Sequence, residues 1–217
     1  MLPWKYPSKL TQWLLPDAIF RLNAADGSIY LTFDDGPDPE VTSELLALLA
    51  EYRAKATFFV VYSDEPWWAE QIEQIDSRGH CLALHGMRHR SGYLLPNLRL
   101  KAELTELNQR LERAGVKPLP AYRPPFGHIR PDTIRFLKRS GIATVLWTHI
   151  PGDFRSVNSE RLFERLNGQV QPGDIVVLHD GVKIRPAPVL GLTRLLLEHI
   201  RSRGWRTEML PSIRSLA

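Results

Sequence analysis

The sequence predicts an α/β domain, a parallel sheet with helices packed outside it, and three observations carry that prediction. Short runs rich in β-branched and aromatic residues alternate with longer runs whose leucines recur at helical spacing. Turn-forming residues separate the two kinds. Polar residues able to do chemistry fall at the C-terminal ends of the β-like runs, the rim where βα folds gather their functional groups. Repeated strand–helix units imply parallel pairing, in a sheet either open or closed into a barrel.

Ile29–Phe33 is the first strand and stops at Asp34-Asp35-Gly36-Pro37, a turn signal. Glu40–Tyr52, with Leu45, Leu46, Leu48 and Leu49, follows as a helix. Ala56–Val61 reads as a buried strand, Trp67–Arg78 as a helix and Cys81–His85 as a strand. Leu98–Ala114 is a strongly periodic helix closed by Gly115. The same rhythm continues with strands at Ala121–Arg123, Thr144–Thr148, Ile175–Leu178 and Arg206–Met209. Helices are expected between them at Asp132–Ser140, Ser159–Asn167 and Pro188–Ser202. Residues 1–28, rich in proline and tryptophan at their start, read as an N-terminal wrap, and 29–217 as one domain.

With 217 residues, 43% of them apolar, the chain can bury a full core. Its formal charge of +4 is scattered, with Arg88-His89-Arg90 and Arg201-Ser202-Arg203 as short clusters, so nothing points to nucleic acid. The one cysteine, Cys81, allows no intrachain disulfide and reads as a small buried side chain. No run approaches the roughly 18 apolar residues of a membrane span. The start, Met1-Leu2-Pro3-Trp4-Lys5-Tyr6-Pro7, lacks the charged-then-apolar layout of a secretory signal, so no export address is expected.

Asp34-Asp35, His85, Arg123, Asp153 and His179 each sit at or just past a predicted strand end, so they are expected to meet in one pocket. Adjacent residues at a strand end point in different directions, which lets Asp34 and Asp35 take different tasks; the pair also reads as an ordinary turn. His85 and His89 stand four positions apart, on one face if the segment is helical. With Asp35 they would form a two-histidine, one-carboxylate set, which leaves coordination positions open for water and substrate. Trp67-Trp68 read as core packing or as a stacking surface for sugar rings, His128 and His149 as structural histidines, and Trp147 as packing.

Thr32–Pro37, His85–His89, Arg123-Pro124-Pro125-Phe126-Gly127 and Ile175–Asp180 resemble, in the same order, the motifs of the polysaccharide deacetylases. These are the NodB-homology domains, family 4 of the carbohydrate esterases, and the resemblance spans roughly residues 29–210. It implies a distorted (β/α) barrel and removal of N-acetyl groups from a chitin- or peptidoglycan-like glycan. By the same resemblance Asp34 is the catalytic base, while Asp35, His85 and His89 hold one divalent metal. Zinc suits that set best, with cobalt, nickel or iron as alternatives. Arg123 would orient Asp34, Asp153 would fix Arg123, and His179 would be the general acid. The Phe126 N–H would help bind the oxyanion, and Leu178 and Val177 would shape the niche for the acetyl methyl. Two departures stand out: Gly86 where the family usually has Ser or Thr, and Ile150-Pro151-Gly152-Asp153-Phe154 where it commonly has Asp-x-x-Asp-Trp. O-acetyl ester or small-amide hydrolysis on the same scaffold, and a catalytically silent glycan-binding protein, are the competing expectations.

Overall fold

The computed structural model describes residues 7–155, 158–166, 168–181 and 186–212. Residues 1–6 of the expected N-terminal wrap and Asn167 of an expected helix lie outside them. In chain order the elements are α1 (Lys9–Leu14), β1 (Ala18–Ile19), β2 (Ser28–Asp34), α2 (Val41–Glu51), β3 (Ala56–Val61), α3 (Trp67–Ser77) and β4 (Cys81–Gly86). Next come α4 (Asn97–Arg113), β5 (Ala121–Tyr122), α5 (Pro131–Arg139), β6 (Ala143–Val145), α6 (Ser159–Leu166), β7 (Ile175–His179), α7 (Pro186–Ser202) and β8 (Arg206–Thr207). Among these residues no helix is long and apolar enough to cross a membrane.

All the ladders are parallel, in the order β1-β6-β5-β4-β3-β2-β7, with β8 paired to β2. No full ladder joins β7 to β1, but the sheet curls until the continuation of β6 spans the gap. Leu146 N–H donates to Ile19 O, Thr148 and His149 N–H donate to Ile175 O, and Val177 N–H donates to His149 O. This closure explains why the strand expected over 144–148 is cut to Ala143–Val145: its second half leaves one neighbour to reach another. The result is the expected distorted barrel. The β5 and β8 ladders are likewise shorter than expected, each two residues long.

Side-chain alternation along the strands makes two cores. On β2, Ile29, Leu31 and Phe33 pack outward against the helices, whereas Tyr30 joins an inner cluster with Phe59, Ala83, Ala121, Val145, Ile175 and Val177. The helices present matching stripes. On α4 these are Leu100, Leu104, Leu107 and Leu111, spaced by four, three and four residues, as a helix buried on one side requires. Gly115 ends it at φ +78°, a conformation glycine adopts without steric cost. Trp68 is buried at the start of α3, its Nε1 donating to Val61 O at 2.9 Å, so it serves packing rather than a sugar surface. Cys81 is a free, partly covered thiol whose pKa burial pushes up to about 11, which keeps it unreactive.

His80, between α3 and β4, is 5% exposed and meets the Phe58 ring edge-on at 5.7 Å. Burial, with Lys55 and Arg78 nearby, lowers its pKa to about 4. The unfolded chain takes a proton here below about pH 6.5, and the folded chain refuses it until about pH 4. Stability therefore falls as pH drops through that window, by about 3 kcal/mol in all. Urea unfolding of wild type and His80→Asn across pH 4–7 should show a flatter pH dependence in the variant, with parallel curves as the contrary result.

Candidate active site

The inward parity of the barrel builds the site. Asp34, His85, Arg123 and His179 continue the inward-facing series of Tyr30 and Thr32 on β2, Ala83 on β4, Ala121 on β5, and Ile175 and Val177 on β7. Each is the last inward residue of its strand or the first beyond it, so apolar walls below give way to polar groups at the mouth. Asp35 has the opposite parity, yet it also reaches the mouth because its backbone turns over at φ +75°. Phe126 does the same at φ +61°. A left-handed conformation costs a non-glycine residue about 1–2 kcal/mol. Two of the three such residues described lie at this site.

Asp35, His85 and His89 bring three ligand atoms within 4.8 Å of one another. Asp35 Oδ1 lies 3.1 Å from His85 Nε2 and 3.0 Å from His89 Nε2, but it is buried and neither contact has hydrogen-bond geometry. His85 Nδ1 lies 2.8 Å from Arg123 O, an acceptor, so the ring carries its proton there and turns a lone pair toward Asp35. Acceptor atoms facing one another suit a cation between them, and the donor set fits a divalent metal.

His85–His89 is not helical as entertained from the spacing; only bends follow β4. Both rings converge because the loop doubles back, with Arg90 N–H donating to Arg88 O at 2.7 Å. Gly86 enables that reversal at φ +120°, where a Cβ would sit 3.3 Å from Arg88 O. Its departure from the family's Ser or Thr thus has a backbone reason.

Arg123 is fully buried. Its Nη1 donates to Asp34 Oδ1 at 2.6 Å and to Thr32 Oγ1 at 2.7 Å. Its Nη2 and Nε donate to the carbonyls of Leu146 (3.0 Å) and Val145 (3.3 Å), and the guanidinium lies 4.0 Å from the centre of the Phe59 ring. A buried charge with this many partners holds Asp34 in one orientation.

Asp153 contacts a different group from the one expected. It accepts from His179 N–H (2.8 Å) and faces His179 Nδ1 (3.0 Å), so it fixes the histidine, whereas Arg123 is fixed by Asp34, Thr32 and two carbonyls. Burial disfavours the His179 cation, but Asp153, then Asp34 and Asp35, raise its pKa to about 9.

The expected niche formed by Leu178 and Val177 is also corrected. Both are fully buried, Leu178 in the outer core and Val177 in the inner one. The pocket, of about 200 Å³, is lined by Asp34, Asp35, His85, His89, Pro124, Phe126, Trp147, Ile150, Phe154 and His179. A larger hollow of about 660 Å³ beside α1 lacks any comparable cluster of reactive groups. Trp147 and Ile150 were missed as lining residues, although Trp147 shares the inward parity of Val145. Phe154 packs edge-on against His179 at 4.7 Å, and Phe126 against His89 at 4.4 Å.

His149 and His128 lie elsewhere. His149 pairs with buried Asp174 at 2.7 Å, and His128 contacts Ser91 and stacks on Tyr93. Asp180, which no sequence signal beyond adjacency to His179 singled out, braces the first loop. Thr42 Oγ1 donates to its carboxylate at 2.7 Å, its own N–H donates to Asp34 O, and Gly36 packs directly on it.

Removing one partner of the buried Arg123–Asp34 pair leaves the other uncompensated. Arg123→Met should therefore cost about 3–5 kcal/mol in urea unfolding. Adding Asp34→Asn should recover part of that loss; simple additivity of the two changes would contradict the pairing.

Residues 21–145 match the polysaccharide deacetylase family. The peptidoglycan-N-acetylglucosamine deacetylase of Bacillus cereus is 32% identical over 180 residues, covering 82% of this chain and 84% of that protein. A chitooligosaccharide deacetylase of Sinorhizobium fredii is 30% identical over 195 residues, covering 85% and 90%. The crystal structure of the Bc1960 peptidoglycan N-acetylglucosamine deacetylase superposes with a TM-score of 0.81 at 23% identity, over 90% of this chain and 91% of that one. By sequence along most of its length and by fold along nearly all of it, this chain belongs to the polysaccharide deacetylase family and is a hydrolase of acetylated glycans.

Proposed function

We propose that the chain removes N-acetyl groups from a polysaccharide or oligosaccharide of chitin- or peptidoglycan-like chemistry, with zinc in the Asp35–His85–His89 cluster. One observation carries the reading: a single small pocket holds an arginine-oriented carboxylate, a metal-competent triad and a histidine held by its own carboxylate. A divalent ion bound by Asp35, His85 and His89 would polarise the acetyl carbonyl and lower the pKa of water.

The chain's own groups supply the rest. Asp34, aimed by Arg123, takes a proton from the attacking water as its oxygen bonds to the carbonyl carbon. The backbone N–H of Phe126 is offered to the oxyanion that forms. His179 gives its proton to the amide nitrogen as the carbon–nitrogen bond breaks, leaving acetate and a free amine on the sugar. Asp153 keeps that imidazole oriented and protonated. Trp147 and Ile150 give the pocket an apolar wall suited to a methyl group.

Acetate release from chitin oligomers and peptidoglycan fragments tests the proposal. Activity should vanish on chelation and fall about a thousandfold or more in Asp34→Asn. Since His179 must carry its proton, turnover should decline as pH rises through about 9. Asp153→Asn removes the carboxylate that holds the proton and should move this limb to lower pH. Absence of acetate release from any N-acetylated glycan by metal-loaded protein would overturn the reading.

A further inference from the structure

The loop 87–90 is a partition between two hollows. His89 faces the catalytic pocket, while Met87, Arg88 and Arg90 line a groove of about 560 Å³ on the other side. The groove's far wall is α4, contributing Arg99 and Arg110, and its end is Tyr62 and Asp64 beyond β3. Four arginines thus face one space with three acids, Asp64, Glu103 and Glu106.

Two of those acids already face an arginine, and the third accepts from a neutral hydroxyl. Glu103 accepts from Arg99 at 3.4 Å, Glu106 from Arg110 at 3.1 Å, and Asp64 from the Tyr62 hydroxyl at 2.7 Å. Arg110 is held further by donating to Tyr62 Oη at 2.7 Å, with its guanidinium 4.5 Å from the centre of that ring. Arg88 and Arg90 are different. Both are exposed, they stand two residues apart on a doubled-back loop, and neither side chain makes a hydrogen bond or ion pair among the described residues. Arg88 and Arg90 thus bring two positive charges to one groove, and a shared anion offsets both. Guanidinium forks match the planar or tetrahedral oxygens of a carboxylate or phosphate.

We propose that the groove lined by Arg88, Arg90, Arg99 and Arg110 is a subsite for an anionic substituent, a carboxylate or phosphate, on the glycan whose acetyl group enters the pocket at His89. The inference rests on the deacetylase reading for the position of the glycan, though not for the charge of the groove. An acetyl group seated beside His89 leaves the neighbouring part of the sugar chain to cross the partition, where Arg88 and Arg90 meet it. Among the described lining of the pocket, Trp147, Ile150 and Phe154 carry no charge, whereas the loop on either side of His89 carries two arginines.

Three probes test this with the metal-loaded full chain at low salt. They are chitotetraose, a tetrasaccharide of alternating N-acetylglucosamine and N-acetylmuramic acid, and the same tetrasaccharide with its lactyl carboxylates reduced to alcohols. The acidic probe should have a kcat/KM about tenfold above its reduced form, an advantage that shrinks as salt is added. Arg88→Gln with Arg90→Gln should bring that ratio close to one, whereas Arg88→Lys with Arg90→Lys should keep part of it. Metal content measured in each variant separates a lost subsite from a collapsed loop. Competition by inorganic phosphate against the acidic probe alone extends the subsite to phosphate, and its absence confines it to carboxylates. An acidic-to-reduced ratio near one in wild type, or an unchanged ratio in the glutamine variant, overturns the proposal. Calorimetric binding of the acidic and reduced tetrasaccharides is scored apart from acetate release. A protein that prefers the acidic one in binding but releases no acetate contradicts the deacetylase reading and leaves this subsite standing.

Discussion

Asp35 Oδ1 has two imidazole nitrogens about 3 Å away and no hydrogen bond to either, and much of the surrounding structure serves to hold that crowding in place. The Arg123 carbonyl fixes the proton of His85 on the far side of its ring. Gly86 lets the chain double back so that His89 returns over His85, their ring centres 5.4 Å apart. Asp35 adopts a left-handed backbone to bring its carboxylate under both rings. A cation among the three atoms would turn that crowding into coordination.

Arg123 links the two halves of the site. Its backbone carbonyl orients a metal-site histidine, and its guanidinium orients Asp34. The two adjacent carboxylates are thereby given separate surroundings, Asp34 against a buried guanidinium and Asp35 between imidazoles. Across the barrel mouth Asp153 and His179 form a second buried pair, which keeps a proton available at neutral pH. The base and one metal ligand come from the end of β2, the first imidazole from β4 and the acid from β7, so the closed sheet, rather than any one loop, sets their spacing.

From β2 onward the element order was legible because leucine spacing and β-branched runs report local burial, and most boundaries differ from expectation by one or two residues; α1 and β1, inside the expected wrap, were not read. The strand over 144–148 was misread because its second half changes partner, a tertiary event with no local signature. Asp34, Asp35, His85, His89 and His179 were visible because strand ends bearing reactive side chains are conspicuous. Alternation alone would have excluded Leu178, which must face the helices if His179 faces the pocket, and would have admitted Trp147. The partner of Asp153 could not be read from sequence, since Arg123 and His179 both sit at the same rim. Gly86 looked like a weakness in the motif, whereas the backbone angle there makes glycine the fitting residue.

The most direct measurement is X-ray absorption at the zinc edge on protein loaded with one equivalent of zinc. The account predicts two imidazole nitrogens at about 2.0–2.1 Å and a carboxylate oxygen at about 2.0–2.2 Å, with the imidazole scattering reduced in His89→Ala. A zinc shell of water oxygens alone, or one unaltered by that substitution, would contradict it.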